Sequence, residues 1–89
     1  MSLVAVTFVD PPTGRELRVD ELDDLMTVGE TVQNLVEQGL VRPAESGRDY
    51  HLHIKNSGVA LTDSNASLSS GRVANGDVIK VVSAQRGGR

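Results

Sequence analysis

Thr27-Val28-Gly29-Glu30-Thr31-Val32-Gln33-Asn34-Leu35-Val36-Glu37-Gln38-Gly39-Leu40 is where the hydrophobic period of this chain changes from two to that of a helix. Thr27 and Glu30 have the spacing of a capping box. The threonine hydroxyl accepts from the Glu30 amide, and the Glu30 carboxylate reaches back to the Thr27 amide. Val28, Val32, Leu35, Val36 and Leu40 then recur at helical spacing, one apolar face of an α-helix. Gly39 is a helix stop, and Pro43 opposes continuation. No other stretch of the chain reads as a long helix.

Outward from this helix the period is two. On the N-terminal side Val4, Val6 and Phe8 alternate with Ala5 and Thr7, the pattern of a half-buried strand. The turn formers Asp10-Pro11-Pro12-Thr13-Gly14 follow, and then Leu17 and Val19 alternate with Glu16, Arg18 and Asp20, which makes a hairpin. On the C-terminal side a polar loop through Ala44, Glu45, Ser46 and Gly47 leads to Tyr50, Leu52 and Ile54, alternating with His51, His53 and Lys55. Val59-Ala60-Leu61 reads as a short fourth strand, and Leu68 as a lone core plug in a serine-rich loop. The turn Asn75-Gly76-Asp77 launches a last strand, Val78-Ile79-Lys80-Val81-Val82. The expected class is α+β: a mixed sheet of four to five strands packed on one helix, in one domain without repeats. Val6, Leu17, Val32, Leu52, Ile54 and Ile79 or Val81 are expected in its core.

Composition narrows the function. The chain has 89 residues, a formal net charge of -3 and no cysteine, which excludes disulfides, thiolate nucleophiles and cysteine metal sites. Scattered Lys and Arg form no basic stripe, and one Phe, one Tyr and no Trp leave little to stack on bases, so no nucleic-acid partner is expected. No apolar run is long enough to cross a bilayer. The short opening Leu3 to Val9 reads as a strand and not a leader, so the expectation is a cytoplasmic monomer with no membrane partner.

Motifs for catalysis and cofactors are missing. Gly71-Arg72-Val73-Ala74-Asn75-Gly76 is followed by Asp77-Val78 where a phosphate loop has Lys-Ser or Lys-Thr. Neither a nucleophile elbow nor a glycine-rich dinucleotide turn is present, so no enzyme activity and no cofactor is expected. His51 and His53 share one strand face, but two ligands are too few for zinc, and only Asp49 lies near them in sequence. The acidic cluster Asp20, Glu21, Asp23 and Asp24 suits the positive end of the helix that follows, with a docking surface for a basic partner as the alternative. In a cytosolic chain the sequon Asn65-Ala66-Ser67 is idle.

Strand, strand, helix, strand, short strand, strand is an order that resembles ubiquitin and its β-grasp relatives, and the resemblance covers nearly the whole chain. Its most specific part is the ending, Ser83-Ala84-Gln85-Arg86-Gly87-Gly88, similar in length and character to the ubiquitin tail. A glycine pair near a terminus is also compatible with a plain flexible end. The resemblance implies that the first and last strands pair in parallel, with a domain over 1–83 and a flexible tail over 84–89. It further implies conjugation through Gly88, with Gly87 easing passage through narrow enzyme channels and Arg86 taking part in tail recognition. Arg89 would be the processing position, removed by a peptidase before an activating enzyme and a conjugating enzyme pass Gly88 to a target protein. Bacterial ubiquitin-like modifiers are the subgroup it suggests.

Two other roles stay open under the same resemblance. One is a sulfur carrier whose terminal glycine becomes a thiocarboxylate, and the other is a non-covalent adaptor like those associated with bacterial secretion systems. The outward positions His53, Lys80 and Val82 are expected to give a mostly polar surface where ubiquitin has an apolar patch. Lys55 and Lys80 are the only lysines that could accept isopeptide links.

Overall fold

The computed structural model describes residues 3–43 and 48–85. Five strands, β1 (Leu3–Asp10), β2 (Arg15–Asp23), β3 (Arg48–Ile54), β4 (Ala60–Leu61) and β5 (Asp77–Gln85), form one sheet in the order β2-β1-β5-β3-β4. Helix α1 (Val28–Glu37) packs on one face, and a 3-10 turn (Leu68–Gly71) precedes β5. The sheet is mixed: β1 and β5 run parallel, and the other neighbours are antiparallel. The expected α+β architecture, including the parallel pairing of the first and last strands, is the one observed.

Both ends of α1 are closed by the groups its sequence supplies. Thr27 Oγ1 accepts from the Glu30 N–H at 3.1 Å, and Glu30 Oε1 accepts from the Thr27 N–H at 3.0 Å, completing the capping box. The next two donors reach a distant loop: Val28 N–H meets the Ala66 carbonyl and Gly29 N–H the Ser64 carbonyl, each at 2.9 Å. Four first-turn donors lack partners inside any helix, so this loop removes a desolvation cost while tying residues 63–68 to the helix. At the other end Gly39, at φ +83°, sends its N–H to Val36 O, and the Leu40 N–H returns to Leu35 O, both at 3.0 Å. That is a Schellman closure, with buried Leu35 and Leu40 as its apolar pair.

The core lies between α1 and the inner face of the sheet. Val6, Phe8, Leu52, Ile54, Leu68, Ile79 and Val81 are each at most 2% exposed. Leu68 is the plug its isolated apolar character suggested. Leu17 and Val32, expected with them, are only half-buried. Leu17 stands on edge strand β2, and the inward arc of α1 runs through Val28, Thr31 and Leu35, which leaves Val32 on its flank. The polar Thr31 fits this arc because its hydroxyl donates to the Thr27 carbonyl at 2.8 Å.

Two boundaries differ from expectation. β2 continues through Asp23, placing Asp20, Glu21 and Asp23 in the sheet, while the acidic residue in the first turn of α1 is Glu30. β5 continues through Gln85, with Asp49 opposite Ala84 and Arg48 opposite Gln85, so the backbone of 84–85 is part of the ladder and not of a tail beginning at 84. Residues 44–47 and 86–89, including Arg86, Gly87, Gly88 and Arg89, lie outside the described residues.

Candidate interaction surface

The face of the sheet opposite α1 is set by how β5 is launched. Asn75 Oδ1 accepts the Ala5 N–H and Gly76 N–H donates to the Ala5 carbonyl, each at 2.7 Å, so the turn docks on β1 through both backbone groups of Ala5. The buried Asp77 then braces the corner: its carboxylate accepts from the Ala74 N–H at 2.8 Å and from Asn56 Nδ2 at 3.2 Å. This fixes the register of β5 between β1 and β3. A one-residue slip would exchange its inner and outer side chains.

With Ile79 and Val81 inward, Val78, Lys80 and Val82 point outward. His53, Lys80 and Val82 share this face, as expected, and the register sets His51 opposite Val82 and His53 opposite Lys80. Lys80 is exposed, and both histidines and Val82 are half-buried. The same registers bring residues that sequence alone did not place on this surface. Val9 lies beside Lys80 and Thr7 beside Val78 on one side, while Glu16 and Arg18 on β2 complete the rows through Val9 and Thr7. A line of cross-strand neighbours therefore runs Glu16, Val9, Lys80, His53, Ala60 over all five strands. The surface is less polar than expected: Val9 and Val78 join the expected Val82 around Lys80 and the two histidines. The signal for Val9 was present in the alternation of β1, but its neighbours depend on pairing between distant segments.

Among the described residues no group of three or more His, Cys, Asp or Glu is arranged to hold a metal ion, so His51 and His53 stand without a ligand set. Nor is any helix of the described residues long and apolar enough to cross a membrane. What the surface offers is a cationic centre with two imidazoles, each able to donate or accept a hydrogen bond, framed by valine methyls. Methyl groups and hydrogen-bonding groups thus stand side by side on this face. On the α1 side of the sheet, Arg48 Nε donates to Ser83 Oγ at 3.0 Å, which ties β3 to the end of β5. Lys55 is exposed at the β3–β4 turn.

No protein-family model matches the chain, and no curated protein matches it in sequence. Solved structures do match it. A ubiquitin from Caldiarchaeum subterraneum superposes with a TM-score of 0.68 at 23% identity, over 98% of this chain and 100% of that one. The ubiquitin-like domain of an Arabidopsis thaliana protein gives 0.65 at 22% identity, over 92% and 78%. A chain of the MycP5-free ESX-5 inner membrane complex gives 0.62 at 20% identity, with all of this chain covered but only 23% of the other. At these identities the likeness is one of architecture, and together with the strand order and the single capped helix it establishes that this chain has the ubiquitin-like β-grasp fold.

Proposed function

We propose that this chain is a ubiquitin-like protein modifier, joined to target proteins through the carboxyl group of Gly88 after cleavage of the bond to Arg89. The observation that carries the reading is the end-to-end correspondence with a ubiquitin, combined with a last strand that leads in sequence directly to Arg86-Gly87-Gly88. Water hydrolyses the Gly88–Arg89 bond in the processing peptidase. The freed carboxylate attacks ATP, pyrophosphate leaves, and the acyl-adenylate passes to an enzyme cysteine as AMP departs. A target amine then displaces the thiolate to give the amide. All of these catalytic groups belong to partner enzymes, and the chain contributes the acyl group and the surfaces that enzymes and receptors hold.

Gly88 stands three positions after Gln85, the last paired residue. At most about 10 Å of extended chain then separates it from the sheet. Glycines at 87 and 88 therefore matter: with so short a reach, the approach to an active site must be close and unobstructed by side chains.

A second reading, a non-covalent interaction domain, draws on the ESX-5 chain, in which a unit of this fold makes up 23% of a larger protein of a membrane complex. One experiment separates the readings. A form ending at Gly88 is incubated with its activating enzyme and ATP, and the expected product is a thiol-sensitive thioester that Gly88→Val does not form. Transfer to an amine identifies the modifier, and a terminal thiocarboxylate identifies a sulfur carrier. Full biological activity of Gly88→Val removes both covalent readings and leaves the adaptor.

A further inference from the structure

We propose that edge strand β2 is a self-complementary docking surface, through which two copies of this chain pair antiparallel about a two-fold axis at Leu17 to form a weak, reversible dimer. Among the described residues β2 has β1 as its only sheet neighbour, so the backbone groups on its other side have no ladder partner. Such an edge is a template for another strand unless charge, proline or a bulge blocks it. Here the bulge restricts the template without abolishing it. Pairing with β1 is regular from Arg15 to Val19 and shifts register between Val4 and Val6, where Asp20 and Glu21 together face Ala5. A second strand can therefore add along residues 15–19 but not beyond.

Within that window the two-fold selects the register. An antiparallel pair of identical strands with their faces preserved must be centred on one residue, so the choices are few. Centring on Arg18 sets Arg18 against itself and Glu16 against Asp20 of the second copy, all like charges. With Leu17 at the centre, Leu17 meets Leu17, and Glu16 meets Arg18 of the other copy on both sides of the axis. Arg18 already holds Asp20, Nε to Oδ1 at 2.8 Å, with both side chains about three-quarters exposed. The dimer would turn that pair into a chain of alternating charge on the outer face. On the inner face, half-buried Leu17 and Val19 line a groove of about 600 Å³ between β2 and α1, bounded across by Asn34 and Gln38. That groove gives the second copy's Leu17 and Val19 an apolar place to lie.

Five residues of edge pairing bury less than the ~1,200 Å² of specific stable interfaces, and each chain carries a net charge of -3. The association is accordingly weak, in the range of about 0.1–1 mM. The test follows amide chemical shifts of the isotope-labelled chain over a dilution series, with sedimentation equilibrium on the same samples. The expected result is a concentration-dependent shift centred on residues 15–19 and a mass rising toward the dimer. Glu16→Arg or Arg18→Glu sets like charges opposite each other twice and weakens association at least about tenfold. The double variant E16R/R18E restores opposite charges and returns association to within about threefold of the parent. Shifts that are absent up to about 1 mM, or that centre on β4 or on the outer-face histidines, overturn the proposal. So does a double variant no better than either single one.

Discussion

Along β3, Leu52 and Ile54 are 0% and 1% exposed, while His51 and His53, one residue away on the same strand, reach the opposite surface half-buried. β5 divides in the same way: Ile79 and Val81 lie under α1, and Lys80 and Val82 lie outside it. The two faces are built from alternating residues of the same strands, yet they answer to different demands. Inner positions are held by packing, where every missing methylene leaves a void. On the outer face, nothing in the fold specifies side-chain identity beyond strand propensity, so chemistry suited to a partner can be placed there at little cost in stability.

The sharpest attack on this contrast is Leu52→Ala, which is expected to lower unfolding free energy by about 2–5 kcal/mol in a urea titration. A smaller loss is expected at Gly71, which has no room for a side chain: an added Cβ would stand 2.7 Å from Leu61 Cδ2. Gly71→Ala should therefore cost about 1–3 kcal/mol through overpacking, read from the same titration. Thr27→Ala removes the hydroxyl that receives the Glu30 N–H, and about 1 kcal/mol should be lost in thermal or chemical melts. His53→Ala, on the outer face, should stay within about 0.5 kcal/mol of the parent, although it should alter binding to any partner of that surface. A loss above about 2 kcal/mol at His53 would show that the outer face also carries the fold, and the division drawn above would fail.

Local rules made much of the architecture readable in the sequence. The capping box at Thr27 and Glu30, the glycine stop at Gly39, and the alternation of Val4, Val6 and Phe8 all depend on neighbours within a few residues, and all are found in place. What was misplaced depends on distant segments. Leu17 is half-buried because β2 falls at the edge, a fact fixed by strand order. Thr31 is the local exception: it is buried because its hydroxyl is satisfied four residues back within the helix, which hydrophobic periodicity does not register. Val9 joins the surface around Lys80 only through the β1–β5 register. β5 runs on to Gln85 because Arg48 and Asp49 are there to pair with it, although Ala84-Gln85 has no strong strand preference of its own.

The parallel pairing of β1 with β5 also sets when the domain can form. Ala5 and Asn75, joined by a hydrogen bond, are 70 residues apart in the chain. Because β5 sits between β1 and β3, neither the hairpin at the front nor the helix after it can complete a core until the last strand has been synthesised. A chain emerging from the ribosome at about 5–20 residues per second thus spends several seconds with Val6, Phe8 and Leu35 uncovered. Closing so long a loop before its contacts form also slows folding relative to a helical bundle of the same size. During that interval the nascent chain is most open to chaperones and proteases, and stability changes in β5 are expected to govern yield in the cell more strongly than equal changes in the hairpin.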